Sequence, residues 1–165
     1  MKTVLIILSF IILAAVILFF ILGNMSRSGE AKGLAEGRLS ECPARPNCAC
    51  SEDIEDIDHY IKPIRFPQNV PGNLLHILRT TILALDGTIN TEGENYIAST
   101  FSSTIFGFVD DFEIRIDSTQ NLIHLRSASR VGYSDAGVNR KRTGLFRKLL
   151  NEKFEATTQT EKSSD

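Results

Sequence analysis

The chain has no basic surplus: 18 Lys and Arg against 20 Asp and Glu leave a formal net charge of −2 over 165 residues. That balance removes nucleic acid from the expected partners, because gripping a phosphate backbone takes a cationic excess. Cysteine is scarce, and Cys42, Cys48 and Cys50 do not form the paired knuckles of a zinc site, even with His59 further on. The acidic run Glu52-Asp53-Ile54-Glu55-Asp56-Ile57-Asp58 lacks the glycine and the spaced ligands of a calcium loop. It reads as a solvated loop or first helical turn. No internal repeat is visible. The residues therefore imply no metal and no cofactor.

What the chain does have is a long apolar run. From Val4 to Leu22 only Ser9 interrupts it, and about 20 such residues cross the hydrocarbon layer of a bilayer. Gly23-Asn24-Met25-Ser26 follows, without the small-x-small site of a cleaved leader and without a cysteine to take a lipid. Residues 1–23 are expected to be a permanent transmembrane anchor. Lys2 on one side and Arg27 and Lys32 on the other do not fix its orientation. Cys42 and Cys48 bracket Pro43-Ala44-Arg45-Pro46-Asn47, a turn-rich segment that reads as a small-loop disulfide in an oxidising compartment. That leaves Cys50 spare and places the domain on the extracytoplasmic side, periplasmic or equivalent.

Residues 24–41 carry Gly29, Gly33 and Gly37 at the spacing of a membrane-helix dimerisation face. Glu30, Lys32 and Glu36 lie between them, so the segment reads as a flexible linker. Pro71, a run of leucines and isoleucines at helical spacing, and a stop at Asp86-Gly87 predict a helix over 70–86, with Gly87 tolerating the left-handed cap. Strands follow at Tyr96–Phe101, Phe106–Ile116 and Leu122–Ser129, with a short edge strand at Thr88–Thr91. A second helix is expected over 139–154, and residues 156–165 form a polar, disordered tail. The order gives an α+β domain over 42–155: an antiparallel β-meander of three to four strands packed against two helices, preceded by one transmembrane helix.

The alternation also sets a register. With Ser118–Asn121 as the turn, Ile116 faces Ile123, Ile114 faces Leu125 and Phe112 faces Ser127 on the covered face, where Phe106 and Phe108 also belong to the core. On the uncovered face Glu113 meets Arg126, and Asp111 lies diagonal to Arg126 and Arg130. Asp110 points to the core side opposite Ser129, where Ser127, Ser129 or loop N–H groups would be its donors. The loop after the last strand has Gly132 and Gly137, and Asp135 or Asn139 can cap the following helix beside Arg140 and Arg142.

Phe106-Gly107-Phe108-Val109-Asp110-Asp111-Phe112-Glu113, Arg126-Ser127-Ala128-Ser129-Arg130-Val131-Gly132-Tyr133-Ser134-Asp135 and Gly137-Val138-Asn139-Arg140-Lys141-Arg142 together resemble the family known as domain of unknown function 1499. The Cys42-Pro43…Pro46-Asn47-Cys48 turn and His59-Tyr60-Ile61-Lys62-Pro63 are similar to that family too. The likeness covers about residues 40–150 and departs from the family pattern at Cys50, where that pattern tends to carry serine, and at the acidic insert. It implies a single domain, often membrane-linked, and brings no activity, ligand or catalytic residue with it.

Three functions compete. The first is a membrane-anchored binding module that takes an anionic small molecule or a protein partner on Arg126, Arg130, Arg140, Arg142, Ser129 and Asn139. In it Asp110, Asp111, Glu113 and Asp135 form the supporting polar network; the same charges could equally be a salt-bridge network pinning the loop to the sheet. The second is a hydrolase-like enzyme centred on Asp110, Ser129 and Arg130. Against it, Asp110 and Asp111 point to opposite faces, and His124 is on the other parity from Ser127 and Ser129. No catalytic residue is assigned. The third is a purely structural scaffold.

Overall fold

A computed structural model describes residues 1–68, 70 and 73–162 of the chain, with side chains described as far as Ala156. The expected first-turn Pro71 and the last three residues of the tail lie outside the described residues. Helix α1 spans Lys2–Ser26, and none of its apolar stretch is buried. It is long and apolar enough to cross a membrane.

The segment expected as a flexible linker is folded. Strands β1 (Leu34–Ala35) and β2 (Arg38–Leu39) form an antiparallel hairpin in which Ala35 pairs with Arg38. The two turn residues both take positive φ, 52° at Glu36 and 79° at Gly37, which is the geometry of the tight hairpin turns that follow sheet twist. Two-residue strands are too short to show a period, which hid the hairpin from the sequence.

The main sheet has β3 (Cys48–Cys50), β4 (Ile64–Arg65), β5 (Thr88–Glu92), β6 (Tyr96–Ser102), β7 (Val109–Asp117) and β8 (Leu122–Ser129), all antiparallel. Its order is β3-β8-β7-β6-β5, with β4 also pairing β8. The meander β5–β8 is the expected one; β3 and β4, which extend it beyond β8, are additional. The β7–β8 register follows the expectation residue for residue, from Asp117 opposite Leu122 to Asp110 opposite Ser129. The Asp117 carboxylate fixes the turn by accepting the Thr119 and Gln120 N–H groups at 3.1 Å each.

One sheet face packs under two helices. Helix α2 (Leu74–Ala84) starts at Asn73, whose side chain accepts the Leu75 N–H, and it buries Leu78 and Ile82. Helix α3 (Val138–Lys162) buries Phe146, Leu150 and Phe154, whereas Val138 and Leu145 are about half exposed. It also runs past 154, so residues 156–162 continue a helix rather than a disordered tail. Ile97, Phe101, Phe112, Ile114, Ile123 and Leu125 complete this core from the sheet.

Two details at the edges of that core correct the expectation. Asp86, not Gly87, takes the left-handed conformation after α2, with φ 63°. Gly87 is needed for closeness instead, since a Cβ there would lie 2.6 Å from Ile82 and 2.7 Å from Phe101. Strand β7 begins at Val109, and Phe106 and Phe108 leave the core to meet α1. The Phe106 ring centroid is 5.2 Å from those of both Phe19 and Phe20.

Candidate functional site

The opposite sheet face is where the expected charges gather. Glu113 accepts a 2.7 Å bond from Arg126 Nη1, and both side chains are almost wholly buried. The Tyr96 hydroxyl and the Gly33 N–H donate to its other oxygen at 2.7 and 2.8 Å. Burial and the Glu113 carboxylate together push the Tyr96 phenol well above its ordinary range. Arg130 grips Asp111 through Nε and Nη2, and its Nη1 donates to the Ser26 carbonyl at 3.2 Å. The pairing is as expected, but around the Glu113–Arg126 pair the face is not open. The connector, its hairpin and the end of α1 lie over it, which is why Leu39 and Asp111 are buried.

A second group on this face escaped sequence reasoning. Glu52 accepts from Arg115 Nε at 2.6 Å and Arg38 Nε at 3.0 Å, and lies 3.7 Å from His124 Nδ1. It is therefore no part of a solvated acidic loop. Burial alone would raise its carboxyl, but Arg115, His124 and Arg38 outweigh that and hold it below the ordinary value. His124 is pushed down, first by burial, with Glu52 opposing. Ser51 Oγ lies 3.3 Å from the same Nδ1. A catalytic triad needs the serine and the acid on different ring nitrogens. Here both lie at Nδ1, and Ser51 is buried, so the arrangement is structural.

The remaining expected residues divide between two places. Arg142, Asn139 and Ser129 meet on the α3 side of the sheet. Arg142 Nη2 donates to Asp110 at 2.8 Å, its Nη1 donates to Asn139 Oδ1 and Ser127 Oγ, and its guanidinium stacks 4.6 Å over Phe101. Asn139 Nδ2 donates to Ser129 Oγ and to the Asn47 carbonyl. The partner of Asp110 is thus a helix arginine rather than Ser127, Ser129 or a loop N–H. Asp110 and Ser129 lie opposite in register, but Asp110 is paired with Arg142, Ser129 accepts from Asn139, and Arg130 turns to the other face. Arg126 and Arg130 are likewise cut off from Arg142 by the sheet itself.

Arg140 stands elsewhere, at an open cleft of about 750 Å³ between the Cys42–Cys48 turn and the start of α3. The disulfide is formed, and Cys50 is a buried free thiol that burial pushes up. Arg140 donates to the carbonyls of Asp58 and Tyr60, and Arg45 donates to that of Gly132. Neither guanidinium is in an ion pair among the described residues. His59 Nδ1 lies 2.6 Å from Asp56, and Nε2 lies 2.8 Å from the Arg45 carbonyl. Asp135 caps α3, accepting the Gly137 and Asn139 N–H groups at 3.0 and 2.7 Å. An internal carboxylate thus already sits at that helix N-terminus. Tyr133, 71% exposed, stands at the rim.

A smaller open cleft of about 580 Å³ lies beside the exit of α1, lined in part by Arg27, Glu30, Tyr96, Thr100 and Arg130. Arg130 is committed to Asp111 there, which leaves Arg27 and Glu30 as its opposed surface charges.

The family model described as "Protein of unknown function (DUF1499)" matches residues 38–150, and the chain belongs to that family. No curated protein matches it. The match begins at the hairpin and ends inside α3, so it takes in both walls of the larger cleft.

Proposed function

We propose that this protein is a membrane-anchored, extracytoplasmic binding module whose contact surface is the cleft around Arg45, Tyr133 and Arg140. One observation carries the reading. Two neighbouring segments, 42–48 and 56–60, and a distant third, 133–140, close around one open cleft that presents two guanidiniums whose hydrogen bonds go to backbone carbonyls. Such pinning orients a guanidinium while leaving its charge uncompensated, which suits a carboxylate or phosphate group on a small molecule or a protein. Asp56, Asp58 and Asp135 on the same walls favour an occupant that carries donors as well.

Retention of α1 is supported by its joint with the domain. Ser26 Oγ accepts the Val109 N–H at 2.9 Å, and a Cβ at Gly23 would lie 1.9 Å from the Phe106 carbonyl oxygen. Removing the helix would uncover both. The Cys42–Cys48 bridge favours the oxidising side of the membrane. A membrane-impermeant thiol reagent should label intact cells only after reduction; labelling only after lysis would place the domain in the cytoplasm.

The binding reading is tested with the full chain in detergent, by thermal shift against inorganic phosphate and short zwitterionic and acidic peptides. A stabilising ligand should lose its effect in Arg45→Ala and Tyr133→Ala, each of which keeps the core intact. Equal shifts in parent and variants would reject this cleft as the site.

A further inference from the structure

We propose that the β6–β7 loop, Ser103–Phe108, enters the surface of the bilayer that α1 crosses, giving the domain a second membrane contact. The inference rests on reading α1 as an anchor. Its argument is one of height. Phe19 and Phe20 lie within the last turn of the apolar run, about 3–5 Å from its end at Leu22 given a rise of about 1.5 Å per residue. The Phe106 ring is 5.2 Å from both of theirs, and the Phe108 ring is 6.2 Å from that of Phe19. Whatever depth the end of the helix occupies, the loop occupies beside it.

Polar groups mark the same level from the other direction. Arg27, the first charged residue after the run, lies against Gly107, its Nη2 2.5 Å from where a Cβ would stand. The loop thus spans the boundary, with Gly107 at the guanidinium and Phe106 at the apolar turn. Phenylalanine rings carry no polar group, so at this level they belong on the acyl side of the boundary, while the adjacent guanidinium reaches the headgroups.

The loop is held in shape to do this. Ser103 N–H donates to the Phe108 carbonyl at 2.8 Å, the Phe108 N–H returns to Ser103 Oγ at 2.9 Å, and Gly107 takes φ 69°. At its tip Ile105 is 72% exposed, next to rings that already cover one another. Lipid is the occupant that fits. It is the medium around the neighbouring helix, and it asks for no shape complementarity from a lone isoleucine.

Variants of the full chain with one added cysteine, reconstituted in phosphatidylcholine vesicles, test this. Leu18→Cys, Ile105→Cys and Thr119→Cys each carry an environment-sensitive fluorophore, and some lipids carry a spin-label quencher just below the headgroup. The parent chain is the labelling blank, since its free thiol, Cys50, is 3% exposed. Thr119 lies in the turn at the far end of β7, about 30 Å along the strand. The expected result is blue-shifted, quenched emission at Leu18 and Ile105, with neither at Thr119. Quenching at Leu18 alone overturns the loop contact and leaves the anchor reading standing. No quenching at Leu18 removes both. A blue shift at Ile105 without quenching means that protein, a second copy included, covers the loop, and also overturns the proposal.

Discussion

The two faces of the sheet both hold fully buried side chains and are chemically opposite. On one, Phe112, Ile114 and Leu125 are fully buried beneath α2 and α3; on the other, Glu113 is fully buried and Arg126 nearly so. Alternation along β7 and β8 separates the two sets, apart from Asp110, Ser127 and Ser129, which share the α3 side with the apolar core. It does not say that the polar set faces water, because a short, aperiodic connector has been laid over it. Alternation reports chemistry, and cover has to be found elsewhere. The faces should then fail in different ways when damaged.

The largest effect tests that difference directly. Phe112→Ala should cost about 3–5 kcal/mol by leaving a cavity, and no second change on its own face should restore it. Arg126→Met should cost a similar amount, about 3–5 kcal/mol, by stranding a buried carboxylate. Adding Glu113→Gln should recover most of that loss, since Tyr96 and Gly33 can still donate to the amide oxygen. Urea denaturation of the full chain in detergent measures all of these; a double variant as unstable as Arg126→Met would show that the pair is not the issue.

Acid gives a smaller contrast. His124 titrates below its ordinary value of 6.5 in the fold, so the unfolded chain binds more protons as pH falls through that value, and stability declines. Glu52 is held below its ordinary 4.5, so its contribution is complete above that value and is lost as pH drops beneath it. Stability, followed by unfolding from pH 8 to pH 3, should weaken in two stages, about 6.5 downward and about 4.5 downward. His124→Gln should remove the upper stage and Glu52→Gln the lower. Unchanged profiles would show that these groups do not govern the outer face.

The smallest effect belongs to the cover. Gly37→Ala puts a side chain at φ 79°, at a cost of about 1–2 kcal/mol, so the hairpin should loosen before the sheet does. Hydrogen exchange should then quicken at the Gly33 amide, which is bonded to Glu113, while the β7–β8 amides keep their protection. Uniform acceleration would mean that cover and sheet open together.

The β7–β8 register was legible because a period-two pattern, a four-residue turn and one charge pair all required the same pairing. Helices α2 and α3 were legible from their leucine and phenylalanine stripes. What was missed has no local period. Strands β3 and β4 are three and two residues long and exist through their pairing with β8. Asp110 finds Arg142 across 32 positions, and Glu52 finds Arg115 across 63. Phe106 and Phe108 obeyed the strand parity, yet Gly107 between them takes φ 69° and the strand starts only at Val109. The site suffered most. Its arginines are close in the chain, but a sheet stands between Arg126 and Arg142, and Arg140 belongs to a third place. The disulfide, whose partners are six residues apart, was readable from spacing and prolines alone.

The bond from Val109 to Ser26 changes what kind of mechanical part α1 is. A leash lets its load tumble; a shaft keyed to a strand does not. With the Val109 N–H on its hydroxyl and Arg130 on its carbonyl, Ser26 joins the end of the helix to the edge of the sheet in one piece.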